Sequence, residues 1–294
     1  MALAGDRMGV GRGRRACHGG SAMKLDLSVK VNVYSAIVRE FLEEVLRDVE
    51  RRAHTSFTLF SSSITKRLSK IFKGQEVWNL LEFTKRWTDE VYDAASRLFG
   101  VAFRFSMRTM TRLTINTRDA YMPLEIGVAW HPYFNVPYIP ATALKGALRA
   151  YFRSCSVEVC GLGEEELFGT WKRRGEEGGE REGVLRFFDA LPVSCEKGLV
   201  EPDIVNPHYP EVEGVIDEAS VRPRPLVYPA VPRGVTFSAI IAADLSEVKC
   251  DQGRFVARLL KEVQEALAGG LGARTSLGYG ILEVKLDNFR WVGV

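Results

Sequence analysis

The sequence predicts an α+β fold. Three observations lead there. Apolar residues recur at helical spacing over 33–49, 76–99, 142–153 and 255–267. They instead alternate, or run as short apolar blocks, over 101–115, 184–188, 234–245 and 281–287, which is the habit of strands. Segments rich in Gly and Pro separate the two kinds, so neither pattern extends into the other.

Taken in order, Val33, Ile37, Phe41, Leu42, Leu46 and Val49 predict one long apolar stripe on a first helix. The basic stretch 61–73 reads either as a short helix or as a surface loop. Val77, Leu80, Leu81, Trp87, Val91 and Leu98 keep the core period of a further helix over 76–99. A strand follows from Val101, with Phe103, Phe105 and Met107 on one side. Arg104 and Arg108 share the opposite parity, and Arg112 joins them if the strand continues. Pro137 and Pro140 then favour an extended approach to a helix beginning near Thr142, a residue able to cap it. Leu144, Ala147, Leu148, Tyr151 and Phe152 form its buried face, while Lys145, Arg149 and Arg153 recur every fourth residue as a cationic edge. The polar run KRRGEEGGEREG predicts a charged loop insertion over 172–183. Seven prolines lie in 200–233, a span with few helical signals. The stretch AGGLGARTSLGYG, 268–280, joins the last helix to the last strand through five glycines.

Apolar residues make up 46% of the chain and aromatics 10%, which excludes global disorder. The net charge of +3 is unevenly held. Residues 1–24 carry five basic side chains against Asp6, so the remaining 270 residues sum to −1. Nucleic-acid binding must therefore rest on local clusters rather than on bulk charge. The first 24 residues are expected to form a disordered basic tail, with Met23 as an alternative start, and 25–294 a single domain with a helical portion over 25–100. Five widely spaced cysteines predict reduced thiols in a cytoplasmic setting. No apolar run reaches the length of a membrane span, and no cofactor is implied.

The glycine-rich stretch lies between helix and strand, so it is neither a dinucleotide fingerprint nor a P-loop. Its backbone amides, beside Arg274 and Ser276, could form an anion nest, or the segment is a structural turn. Guanidinium groups at 104, 108 and 112 suit phosphate contacts, or they face solvent and are neutralised from elsewhere. His18 falls in the tail and His54 follows the first helix. His131 and His208 lack a partner at fixed spacing. Cys155 and Cys160 are not spaced as zinc ligands, and Asp119, Asp189 and Asp203 are isolated, so neither a metal site nor a catalytic set is predicted.

PYIPATALKGALRAYF, 137–152, resembles the proline-led helix of the RAMP superfamily, and 268–280 resembles its C-terminal glycine-rich loop. ELFGT, VLRFFDALP, DIVNPHY and VYPAVPRGVTF, starting at 166, 184, 203 and 227, narrow the likeness to the sixth-subunit family of Cmr-type (type III-B) CRISPR RNA-guided effectors. The likeness spans about 109–287 and departs from the usual Gly-Ser-Ser at Ala141-Thr142-Ala143. It implies a modified ferredoxin-like, RRM-type core with an antiparallel sheet, helices on one face and long loop insertions. It also implies a non-catalytic subunit that caps the backbone filament and contacts the 3′ region of the guide RNA. Partners would be guide RNA and the adjacent backbone and small subunits. Lys145, Arg149, Arg153, Gly270, Gly272, Arg274, Ser276, Gly278 and Gly280 would be the RNA-contacting residues. Arg104, Arg108, Arg112, Asn206, His208 and Arg233 are secondary candidates. Two alternatives stand beside this reading. One is a metal-independent guide-RNA-processing endoribonuclease using His131 or His208 with Tyr209 and Lys145. The other is a module that binds protein only.

Overall fold

A computed structural model describes residues 27–51, 56–119, 121–170, 181–206 and 225–291. The expected tail, most of the loop over 172–183, and His18, His54, His208 and Tyr209 lie outside the described residues.

Among the described residues, six helices, α1 (Val33–Glu50), α2 (Phe57–Ile71), α3 (Gln75–Leu98), α4 (Ala141–Ser154), α5 (Glu164–Phe168) and α6 (Gln252–Ala268), accompany seven strands. The strands are β1 (Val101–Thr109), β2 (Leu185–Phe187), β3 (Leu191–Cys195), β4 (Glu201–Val205), β5 (Leu226–Ala230), β6 (Val235–Ala243) and β7 (Leu282–Trp291). The main sheet runs β2-β6-β1-β7, with β3 also on β6, and every pairing is antiparallel. β4 and β5 pair separately. The basic stretch 61–73 thus lies mostly within a helix, and the proline-rich 200–233 contributes two strands that its composition hid.

Side-chain alternation along β1 separates two cores. Val101, Phe103, Phe105 and Met107 point into the larger one with Leu144, Leu148 and Phe152 of α4 and Phe255, Leu259 and Val263 of α6. Ala102 points the other way and joins Ile240 and Ala242 of β6 beneath Tyr92 and Ala95 of α3. The expectation of helices on one face is therefore corrected: α4 and α6 cover one face, and α3 covers part of the other. β6 is buried on both sides, so its residues read as a nearly continuous apolar run. Two guanidinium groups approach the Tyr92 ring, Arg104 at 4.5 Å and Arg290 at 5.1 Å from its centre.

The stripe on α1 is only half used. Its first turns bury Val33, Ala36 and Ile37, whereas Leu42, Leu46 and Val49 are exposed. Asn135, in the left-handed region at φ 56°, holds the start of this helix. Its side chain accepts from the Val33 amide and the Trp130 indole, and donates to the carbonyls of Val29 and Val31. Reduced thiols were expected, yet Cys160 and Cys250 form a disulfide that ties the turn before α5 to the approach to α6. Their 90-residue separation concealed the pair. Among the described residues, no helix is long and apolar enough to cross a membrane.

Candidate nucleic-acid interface

The chain enters α4 through Pro140, and Thr142 does not cap the helix. Instead the Ala141 amide donates to Asp189 Oδ1 at 2.7 Å, so a carboxylate from the segment after β2 meets the positive helix end. The predicted face of α4 is buried at Leu144, Leu148 and Phe152. Its cationic edge exists but is largely neutralised. Glu164, the first residue of α5, pairs with Arg149 and with Arg153, the latter at 3.0 Å. Burial alone would raise the Glu164 carboxyl, but the two guanidinium groups hold it below its usual range. Lys145 has no ion-pair partner among the described residues and lines a groove of about 240 Å³ with Thr142, Glu182 and Arg186.

The glycine-rich loop leaves α6 and folds back on the segment after β1. The Ala273 amide donates to Thr114 O at 2.7 Å, Gly280 to Arg112 O at 2.7 Å, and Leu271 to Gly280 O at 2.9 Å. Two glycines are sterically required. A Cβ on Gly272 would lie 2.3 Å from Thr114 O, and one on Gly280 would lie 1.9 Å from Leu271 O, both at positive φ. Between them a short 3₁₀ turn, Thr275–Leu277, presents exposed Thr275, Ser276 and Leu277. The amides of Leu277, Gly278 and Tyr279 bond within the turn, so those three groups are not available to an anion nest.

Asp203 of β4 holds this loop against the small hairpin. Its Oδ2 accepts from the hydroxyls of Tyr228 and Tyr279, each at 2.6 Å, and its Oδ1 accepts from the Ile204 amide. Arg274 donates to the Tyr228 hydroxyl at 2.7 Å and lies over both tyrosine rings. Arg112 approaches Asp203 Oδ1 at 3.4 Å and pairs with Glu201. Burial would raise the Asp203 carboxyl, yet the tyrosine, amide and Arg112 interactions together keep it below the usual carboxylate range. The Tyr228 hydroxyl is pushed up by burial and by Asp203.

The strand arginines are less free than their spacing suggested. Arg104 pairs with Asp89 at 2.7 Å, Arg108 with Glu196, and Arg112 as described. Asn206 and Arg233 are exposed, and Arg233 has no ion pair among the described residues.

A profile of the RAMP superfamily matches residues 121–283, the span that contains α4, the hairpin and the glycine-rich loop. The chain belongs to the RAMP superfamily. Among curated relatives it is 29% identical to the CRISPR system CMR subunit Cmr6 of Saccharolobus solfataricus, over 81% of this chain and 74% of that protein. It is 24% identical to the CRISPR system Cmr subunit Cmr6 of Pyrococcus furiosus, over 77% and 80% respectively. The fold is shared with a chain in the cryo-EM structure of the type III-B Cmr-β bound to cognate target RNA. That match has a TM-score of 0.64 at 24% identity and covers 89% of this chain and 93% of the other.

Within the RAMP chain, His131 sits half-buried beside Phe134, Tyr133 and Tyr138. Its Nδ1 accepts from the amides of Tyr133 and Phe134, and burial lowers its pKa. Among the described residues, no three His, Cys, Asp or Glu side chains converge as a metal set. The residues that sequence reasoning missed are Asp203, Tyr228, Tyr279 and Glu164. Each is unremarkable in its own segment, and only the fold brings it to its partners. One signal was present: Asp203, Tyr228 and Tyr279 each lie inside a quoted family-like segment.

Proposed function

We propose that this RAMP chain is the Cmr6-type subunit of a type III-B CRISPR effector, a non-catalytic cytoplasmic protein. It caps the backbone filament and contacts the 3′ region of the guide RNA. The observation that carries the reading is the convergence of three separated segments, 203–206, 226–233 and 270–280, on the Asp203 network. There they hold a fixed loop with Ser276 at its exposed tip. The order β1–α4–(β2, β3)–β6–α6–β7, with α4 and α6 on one face, supports a modified ferredoxin-like core within a single domain over 25–294. Lys145, Asn206, Arg233 and the 275–277 turn are the uncommitted groups best suited to RNA. Arg149 and Arg153 become available to phosphate when Glu164 is displaced. The committed Nδ1 of His131 favours a structural role for that ring over acid–base work.

The test follows end-labelled guide RNA on paired native and denaturing gels, with the chain alone and with its backbone subunits, with and without EDTA. Binding without cleavage, strengthened by the other subunits and weakened by Lys145→Glu, is the expected result. Specific cleavage by the isolated chain in EDTA would replace this reading with a processing nuclease.

A further inference from the structure

The second face of the sheet ends in an open cavity of about 620 Å³ between α3 and the 131–134 turn. Phe83 and Trp87 come from α3, while Tyr133 and Phe134 come from the turn, with His131 behind them. The Phe134 ring centre lies 5.6 Å from Phe83, 5.5 Å from Trp87 and 4.5 Å from His131. These rings are displayed rather than packed away: Phe83 is 54% exposed, Trp87 48% and Tyr133 88%. Three large aromatic side chains at one opening mark a binding surface.

Charge identifies the occupant. Among the described residues, Asp189 is the only acidic side chain lining the cavity, and no lysine or arginine lines it. Its Oδ1 accepts the Ala141 amide, and its Oδ2 has no hydrogen-bond partner among the described residues. The His131 Nδ1 accepts two amides, so the imidazole is held as a neutral acceptor there. Aromatic faces attract cations, and a planar guanidinium both stacks on rings and matches a carboxylate. A nucleotide could stack its base, but its phosphate would meet Asp189 and find no cation in the cavity wall.

We infer that this cavity is an aromatic cage for an arginine side chain presented by a neighbouring protein subunit, with Asp189 as counter-charge. The inference rests on the effector-subunit reading for the source of the arginine, but not for the chemistry of the cage.

Two experiments separate these. In the first, ¹⁵N-labelled full chain is titrated with N-acetyl-arginine amide, N-acetyl-leucine amide and uridine 5′-monophosphate, following the Trp87 indole N–H. Arginine amide should give a saturable shift, about tenfold tighter than leucine amide. Asp189→Asn, which keeps an oxygen for the Ala141 amide, should abolish that preference. Equal or tighter binding of the leucine or uridine compound, or no saturation with any of them, overturns the cage. In the second, a photo-crosslinking residue replaces Phe83 in an effector rebuilt from purified subunits. A crosslinked peptide containing arginine supports the inference. A crosslink to RNA, or to a peptide without arginine, overturns it. Failure of the chain to join the assembly defeats the effector reading, while the titration still decides the cage.

Discussion

Asp203 accepts a 2.6 Å hydrogen bond from the hydroxyl of Tyr279, across a sequence separation of 76 residues. With the Arg274–Tyr228 hydrogen bond, this bond joins the glycine-rich loop to the hairpin of β4 and β5. Asp203 Oδ2 also accepts from Tyr228, so removing the carboxylate leaves two hydroxyls without this acceptor and Arg112 with Glu201 alone.

Asp203→Ala should therefore destabilise the protein by about 3 kcal/mol, because a buried acceptor is lost from several donors at once. Amide hydrogen exchange over 270–280 should accelerate together with the fall in unfolding midpoint. Unchanged protection of that loop would mean that the network does not hold it.

Acidification should act on the same group. The folded Asp203 pKa is depressed, so its contribution is fully present above the unfolded value of about 4 and is lost as pH falls through the folded value. Urea midpoints measured between neutral pH and pH 2 should fall at the acid end in the parent chain. The acid limb should be shallower in Asp203→Asn.

Two glycine substitutions should differ sharply. Gly280→Ala places a methyl 1.9 Å from Leu271 O and should cost more than about 3 kcal/mol or prevent folding. Gly278→Ala meets nothing within 4 Å and carries only the left-handed backbone penalty, about 1 kcal/mol. Equal midpoints for the two variants would contradict the packing described for the loop.

Glu164→Gln removes the charge that neutralises Arg149 and Arg153. If the α4 edge lies on the RNA path, binding should strengthen several-fold. The dependence of log K on log salt should steepen by about 1.4 units, as expected for two added phosphate contacts to a single strand. An unchanged salt slope would place the RNA elsewhere.

Reduction should lower stability through the Cys160–Cys250 bridge, by about 4.6 kcal/mol on the chain-entropy account for a closed loop with a sequence separation of 90. Cys250→Ser should melt at the same temperature with and without reductant. Thiol counting on the unfolded, unreduced parent chain provides the independent check.

Much of the fold was legible because it rests on local periodicity. The helices at 76–99 and 255–267, and the strands from 101 and 234, follow from apolar spacing within a single segment. β4 and β5 were not legible, since Pro202 and Pro229 sit inside them and the two pair only with each other. The cationic edge of α4 was read from its four-residue spacing, but its neutralisation depends on Glu164, which reaches it only through the turn ending at Gly163. For the glycine-rich loop, composition announced a turn and left its direction open. The contact of Gly272 with Thr114 sets that direction, and no spacing rule links those two positions.

If the chain holds a guide RNA as proposed, its contacts must tolerate any order of bases, since spacers differ from one complex to the next. In a sheet-based RNA reader, bases lie flat on the open strand face and are discriminated there. Here α3 occupies part of that face, with Arg104 and Arg290 against the Tyr92 ring. On the proposed reading the loop tip at 275–277 and the α4 edge are left to meet the sugar–phosphate chain. If the proposed guide contact holds, the helix lying over part of this face would turn the chain from base reading toward backbone contacts, and one chain would serve many different guides.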